Sequence, residues 1–404
     1  MISADLRFHP IGQGCFYTGE LFSQNAKYRF VYDCGSNSIH TYIDRAIVNF
    51  RRRLGDDPIN LLIVSHYDYD HVNKIRSLIT GKHVKRLIIP YVETIERLLI
   101  YTKADHGGED YRTFLNNPLK YFADDDTFNI DEIIVIGASE DKQIFEPYVP
   151  IEPTDPKTDR KIEFNDAVFG KSSSVPSSSF FGSLGVEHSP IIRYYQIPFQ
   201  VLLTPFWEFR FYLKERSNQL LIDSFNQALN TTKIELNIGS YEDMFRDDVR
   251  TRLRQLYENK FRDLNSTSLV VYSGPIGDVM NSLIYFSPYF GRGFNYPMIY
   301  PKGTLLTGDI NLNQDSDLND ITNYFRNYLP KTSIFQVPHH GSQKNWNFNH
   351  PNNLDYFSFY IINHGIGRKH HPSVKVVSDI DTETEGFLQF NNEVHSFIVH
   401  FQVL

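Results

Sequence analysis

Short apolar runs broken by turn residues fill the first hundred positions. YRFVYDCGS (28–36) reads as a strand ending in a glycine turn, INLLIVSH (59–66) as a buried strand, and VKRLIIPY (84–91) as a third. Between the first two, HTYIDRAIVNFRRRLG (40–55) sets Ile43, Ile47 and Phe50 at helical spacing, with Gly55 as its stop. Strand, helix, strand over roughly thirty residues is a βαβ rhythm.

From about 103 to 265 the pattern loosens. DEIIVIGAS (131–139) is a strand, whereas EPTDPKTDRKIEFND and KSSSVPSSS (171–179) read as long surface loop. Two amphipathic helices are predicted next, over 214–229 and 242–261, the second carrying Phe245, Val249, Leu253, Leu256 and Phe261 on one face. We read 103–265 as an insertion, loop plus two helices at about 205–264, covering one side of the core. Strands then return at 267–274, 303–310, 332–342, 357–363 and 395–401. Two strand-rich ends bracketing a helical middle fit two sheets packed face to face with helices outside. No internal repeat is evident, and 404 residues suit one large α/β domain.

The chemistry gathers where apolar runs stop. SHYDYDH (65–71) follows the strand at 59–64 and packs His66, Asp68, Asp70 and His71 into a loop at a strand's carboxyl end, where α/β folds place ligands. A surface turn rich in Asp would look similar. A divalent cation explains the crowding better, because it offsets carboxylates that otherwise repel one another and resist burial. LLTGD ends a later run on Asp309, and FQVPHHGS ends another on His339 and His340. Three strands that each deliver carboxylate or imidazole at their ends point to one convergent metal site.

Taken in order, IGQG (11–14), YDCGS (32–36), SHYDYDH, NSTSLVVY (265–272), LLTGD, VPHHGS (337–342) and HHPS (370–373) resemble the metallo-β-lactamase fold, and within it the hydrolase domain of the competence protein ComEC and its soluble relatives. The likeness runs from residue 11 to about 375, with 100–265 contributing little. It implies an αββα sandwich, a single domain over 1–404, and two divalent metal ions, Zn²⁺ or Mn²⁺. His66 and Asp68 would help hold one ion, Asp70 and His71 the other, and Asp309 would bridge them. His340 would be a further ligand of the second ion and His339 would face a substrate phosphate, or the two would exchange roles. His371 would approach the scissile group. Asp68 stands where the commoner motif has His, which shifts preference from Zn²⁺ toward Mn²⁺. His188 is the mid-chain candidate for a further histidine ligand. Asn73 and Lys74 replace two glycines; Lys74 would meet a substrate phosphate or simply start a helix in solvent.

Two close cations ready a water and stabilise a leaving oxygen, and an anionic phosphodiester gains most from them. Asp70, His339 and His371 are the catalytic candidates, the two histidines as donors to the leaving group. The leading expectation is a metal-dependent phosphodiesterase, first of all a nuclease. The alternatives are a hydrolase of a small phosphoester or other small molecule, and a catalytically idle subunit of a larger assembly that needs a protein partner.

Composition adjusts this picture. A net charge of −8 disfavours a general polyanion binder. RRR (51–53), KHVKR (82–86) and RKHH (368–371) are the basic patches available to nucleic acid, if they are more than solvated faces. Cys15 and Cys34 are the only cysteines; they exclude a disulfide framework and read as small core residues rather than a nucleophile pair. Asp33 either supports the metal loop or caps its turn. His9, His350, His364 and His395 read as structural or surface. IGQG lacks the spacing of a nucleotide cradle. With neither a signal peptide nor an apolar run of about eighteen residues, the chain reads as cytoplasmic with no membrane partner.

Overall fold

The computed structural model describes residues 2–104, 108–138, 164–172, 190–203, 206–214, 219–240, 242–257, 267–276, 283–285, 295–297, 303–348 and 357–403. His188, Phe261, His350 and most of the loops expected over 152–166 and 171–179 lie outside the described residues.

The first half opens with an antiparallel run of β1 (Ile2–Phe8), β2 (Gly14–Phe22) and β3 (Lys27–Ser36). Helix α1 (His40–Leu54) leads to β4 (Ile59–Ile63), a helical turn α2 (Tyr69–Val72), α3 (Ile75–Ile79) and β5 (His83–Pro90). Three helices, α4 (Thr94–Lys103), α5 (Glu109–Asn116) and α6 (Pro118–Ala123), precede β6 (Asn129–Gly137). Strands β3, β4, β5 and β6 run parallel.

The middle of the chain supplies strands as well as helices. β7 (Asp166–Ser172) pairs with β8 (Ile191–Leu203), and β8 pairs with β6 and with β9 (Trp207–Leu213). Residues 207–213, expected within the helical part, are therefore a strand; α7 (Gln219–Glu235) and α8 (Asp247–Tyr257) follow it. WEFRFYL has period two, and Trp207, Phe209, Phe211 and Leu213 all join the central core.

The second half contains β10 (Leu269–Pro275), the small pair β11 (Leu283–Tyr285) and β12 (Asn295–Pro297), and β13 (Gly303–Leu306). Then come α9 (Asp315–Tyr324), β14 (Thr332–Gln336), β15 (Phe359–Asn363), α10 (Val374–Glu383), β16 (Phe387–Asn391) and β17 (Phe397–Val403). One large mixed sheet runs β16-β15-β14-β13-β10-β9-β8-β6-β5-β4-β3-β2-β1-β17, with β7 attached to β8.

Three apolar clusters hold this α/β structure. The central one joins Tyr17, Phe30, Leu61 and Ile63 of the first half to Phe209, Val271, Leu306 and Ile361 of the second, so faces from both halves meet. Phe30 and Phe209 lie 4.9 Å apart edge to face, and Tyr17 donates its hydroxyl to Thr304. A second cluster packs α1, α3, α4, α5, α7 and α8 on β3–β6, and the third packs α9 and α10 on β10 and β13–β15. Strand β4 shows why its sequence does not alternate: Leu61 and Ile63 enter the central cluster while Ile59 and Leu62 face the helices. Among the described residues no helix is long and apolar enough to cross a membrane.

Because β3 and β4 are parallel, as are β13, β14 and β15, each half presents the carboxyl ends of its strands along one edge. The chemistry lies where those two edges meet.

Candidate metal centre

Ser65 to His71 leave β4 as an extended segment that closes into α2, with Asp70 and His71 in that turn. Two glycines admit this loop. A Cβ on Gly35 would lie 2.6 Å from the Asp70 carbonyl carbon, and one on Gly14, at φ +144°, would lie 2.3 Å from the Gly35 oxygen. Gly14 of IGQG and Gly35 of DCGS thus serve close backbone approach. Asp33 adopts the left-handed region at φ 58°, and both its carboxylate oxygens are engaged. Oδ1 accepts from Ser65 N–H at 2.7 Å, and Oδ2 accepts from the Ser65 hydroxyl at 2.6 Å and from His71 Nδ1 at 2.8 Å.

These contacts decide where the imidazole protons sit. Ser65 has one hydroxyl hydrogen and gives it to Asp33, so its oxygen accepts from His66 Nδ1 at 2.7 Å. His71 gives its Nδ1 proton to a carboxylate, and His340 gives its own to the Asn363 carbonyl at 2.9 Å. In neutral form each ring therefore presents a bare Nε2. Metal-ligating histidines have this same arrangement, one nitrogen tied to an acceptor and the other free.

All of these Nε2 atoms converge on Asp309, which follows β13 through Gly308 at φ +55°. Asp309 Oδ1 lies 3.3 Å from His71 Nε2 and 4.0 Å from His340 Nε2. Oδ2 lies 3.6 Å from His66 Nε2 and 3.7 Å from His339 Nε2. His340 Nε2 is also 3.2 Å from Asp70 Oδ2, and Asp68 Oδ2, on a partly exposed side chain, lies 3.8 Å from His66 Nε2. His371 stacks on His339 at 5.4 Å. The structure thus brings together His66, Asp68, Asp70, His71, Asp309, His339, His340 and His371.

The donor set suits a cation. His66, His71 and Asp309 offer ligand atoms within 4.8 Å of one another, as do Asp70, His71 and His340. His66 Nε2 and His71 Nε2 are buried with no hydrogen-bond partner, a condition rare for buried polar atoms. The titration of the site shows the same need for positive charge. Burial opposes a charge on His71, yet Asp309 and Asp33 raise its pKa well above the ordinary imidazole value; His340 is raised against burial by Asp309 and Asp70. Burial favours neutral Asp70, but the His340 hydrogen bond and the His71 charge outweigh it and bring the carboxyl to about 2. Asp309 is held well below its usual range, against burial, by His339, His71, His66 and His340. His371 moves the other way, to about 4, through burial and the neighbouring His340 and His339.

A third group, Cys15, Asp33 and His71, also falls within ligand distance. There Asp33 and His71 Nδ1 already bond each other, and burial followed by Asp33 pushes the Cys15 thiol up, so Cys15 stays protonated. Its sulfur accepts from Gln336 Nε2 at 3.6 Å and Asn363 Nδ2 at 3.9 Å. Gln336 Oε1 in turn accepts from Thr307 N–H at 3.1 Å, fixing the turn before Asp309, and Ser268 Oγ accepts from Asp309 N–H. Ser65, Ser268, Gln336, Asn345 and Asn363 were not singled out as site residues in the sequence. Of these, Ser65, Ser268 and Gln336 lie inside the motifs SHYDYDH, NSTSLVVY and FQVPHHGS.

The basic patches are largely occupied. Arg51 donates to the carbonyls of Ser77 and Leu78, and Arg86 pairs with Glu132 and Asp166. Lys74 pairs with Asp44 at 2.7 Å. Arg368 donates to the Asn37 carbonyl, while Lys369 and His370 are exposed beside His371.

No family profile and no curated protein matches the chain. Among solved structures it is similar to the metallo-β-lactamase fold protein YhfI from Bacillus subtilis, at 8% identity over 98% of this chain and 100% of that one, TM-score 0.39. It is also similar to unliganded yeast PDE1, at 9% identity over 98% of this chain and 99% of that one, TM-score 0.38.

Proposed function

We propose that the protein is a metal-dependent hydrolase of the metallo-β-lactamase type, an αββα sandwich that cleaves phosphodiester bonds, with nucleic acid as its first substrate class. The observation that carries this reading is the ring of imidazoles around Asp309, each with Nδ1 tied to an acceptor and Nε2 turned inward. On this reading His66 and Asp68 hold one ion, Asp70, His71 and His340 hold a second, and Asp309 faces both. The mixed nitrogen and oxygen donors suit Zn²⁺ or Mn²⁺. When bound, such ions polarise a phosphoryl oxygen and lower the pKa of water.

The chain's own residues do the rest. Asp33 and Ser65 fix the rings of His66 and His71, so the inward nitrogens need no reorganisation when a cation or substrate arrives. His371 stacks on His339 and is not one of the four imidazoles whose Nε2 lies within 4.0 Å of an Asp309 oxygen. With its pKa near 4 it is neutral at neutral pH and offers an N–H hydrogen bond to a leaving oxygen.

A second reading, hydrolysis of a small phosphoester, is favoured by the internal pairing of Arg51, Arg86 and Lys74, which removes those cations from any polyanion track. Elemental analysis, combined with hydrolysis of single-stranded DNA, duplex DNA, RNA and bis(p-nitrophenyl) phosphate in Mn²⁺, Zn²⁺ or Mg²⁺, tests both. Cleavage of polymers supports the first reading, and cleavage of the small diester alone supports the second. Less than one equivalent of bound metal, or no cleavage of any diester, overturns both.

A further inference from the structure

The turn Pro338–Gly341 places three successive residues in the left-handed region, His339 at φ 46°, His340 at φ 56° and Gly341 at φ 77°. Side-chain-bearing residues rarely adopt this conformation, and two in a row are rarer still. Its effect is to aim both imidazoles at Asp309 from one turn, His340 toward Oδ1 and His339 toward Oδ2. The turn is fastened to the Asp309 loop, since His339 N–H donates to the Gly308 carbonyl at 3.1 Å.

Asn345, fully buried, settles which His339 nitrogen carries the proton. Its carboxamide faces the Asp309 and Ile310 carbonyls at 3.2 and 3.3 Å on one side and His339 Nδ1 at 2.9 Å on the other. Two carbonyl oxygens can only accept, so the NH₂ group must face them and Oδ1 must face the ring. An acceptor at that position requires a hydrogen on Nδ1. Neutral His339 therefore presents a lone pair at Nε2, as His66, His71 and His340 do. Each oxygen of Asp309 thus faces two such nitrogens: His71 and His340 on Oδ1, His66 and His339 on Oδ2.

We propose that His339 is a nitrogen ligand of the ion on the Asp309 Oδ2 side, beside His66 and Asp68, and that Asn345 is the residue that positions it. This rests on the metallohydrolase reading of the same site. It gives His339 a binding role instead of proton donation, and it completes the first ion's ligands from the HHGS turn without drawing on His188.

The test is a Mn²⁺ titration of the full-length protein by calorimetry, with elemental analysis after dialysis. Wild type should bind two equivalents. His339→Ala and Asn345→Leu should each weaken one of the two ions at least tenfold and leave the other as in wild type. Two ions bound as in wild type by His339→Ala overturns the assignment while leaving the hydrolase reading intact; wild type that binds neither ion overturns both. Should the variants fail to fold, long-range ¹H–¹⁵N spectra of metal-free wild type above the imidazole pKa range decide the point. A proton on His339 Nδ1 is expected, and a proton on Nε2 sinks the proposal.

Discussion

Asp33 Oδ2 and His71 Nδ1 lie 2.8 Å apart with neither side chain exposed, which makes a left-handed aspartate on β3 the anchor of a histidine on α2. The same oxygen accepts from Ser65, and through Ser65 the anchor extends to His66. Asp33→Ala removes acceptors from three buried donors at once. We expect it to cost about 3 kcal/mol or more, the range for breaking a buried charged pair, read from denaturant unfolding. Asp33→Asn should fold better, yet its amide would turn an N–H toward His71 Nδ1 and disturb that ring's tautomer. Metal affinity should then fall roughly 10–100-fold, measured by titration. Wild-type affinity in Asp33→Asn would remove Asp33 from the support of the centre.

Removing metal should reverse the sign of a pH dependence. His71 and His340 have folded pKa values above the unfolded imidazole value. Their contribution to the metal-free protein is therefore fully present below about pH 6.5 and is lost as pH rises through their folded values. Asp70 and Asp309 are depressed, so what they contribute is present above the unfolded carboxylate value and is lost only on acidification below about pH 4. In EDTA the melting temperature should fall from pH 6.5 upward. In excess Mn²⁺ it should rise over the same interval, because cation and proton compete for the same nitrogens. Parallel profiles with and without Mn²⁺ would contradict a cation at these residues.

The strands that deliver the site were legible because a strand covered on both faces writes an unbroken apolar run, as INLLI does. The ligand-type residues were legible because they interrupt such runs abruptly. Strand β9 alternates with period two, but the charges of Glu208 and Arg210 mark a solvent face, whereas the two form a buried ion pair at 3.1 Å and the strand is covered on both sides. The residues that orient the site had no local sign. Asn345 and Asn363 act through one carboxamide and one backbone carbonyl on histidines 6 and 23 positions away, and such pairings depend on how β14 and β15 end. The left-handed pair at His339 and His340 was equally hidden, since no glycine marks those two positions.

Gly35 gives a packing test independent of titration. A Cβ there would lie 2.6 Å from the Asp70 carbonyl carbon and 2.7 Å from the His71 one, both of them backbone atoms that cannot rotate away. Gly35→Ala should therefore push α2 off β3, at a cost of about 1–3 kcal/mol. Metal affinity should fall with it, because Asp70 and His71 ride on that turn. Gly81→Ala is the control for a glycine with open space around it; at φ +66° it should lose some stability through backbone strain alone and keep wild-type metal affinity. Wild-type metal binding by Gly35→Ala would show that α2 tolerates displacement.

His371 separates binding from chemistry. Its ring stacks on His339 at 5.4 Å and lies 6.2 Å from His340, and, unlike His66, His71, His339 and His340, it is not among the imidazoles with Nε2 within 4.0 Å of an Asp309 oxygen. A ring so placed would touch a substrate lying over the centre without being needed to hold ions. His371→Ala should therefore keep the wild-type metal content and fold while lowering kcat about 10²–10³-fold, the usual range for loss of one hydrogen-bond donor to a developing oxyanion. A leaving group that needs no proton, such as p-nitrophenolate, should show a much smaller loss than an oligonucleotide, because hydrogen bonding to the departing oxygen matters less for a stable anion. If His371→Ala instead loses metal, the ring supports the centre; if it loses neither metal nor rate, the leaving oxygen departs without it.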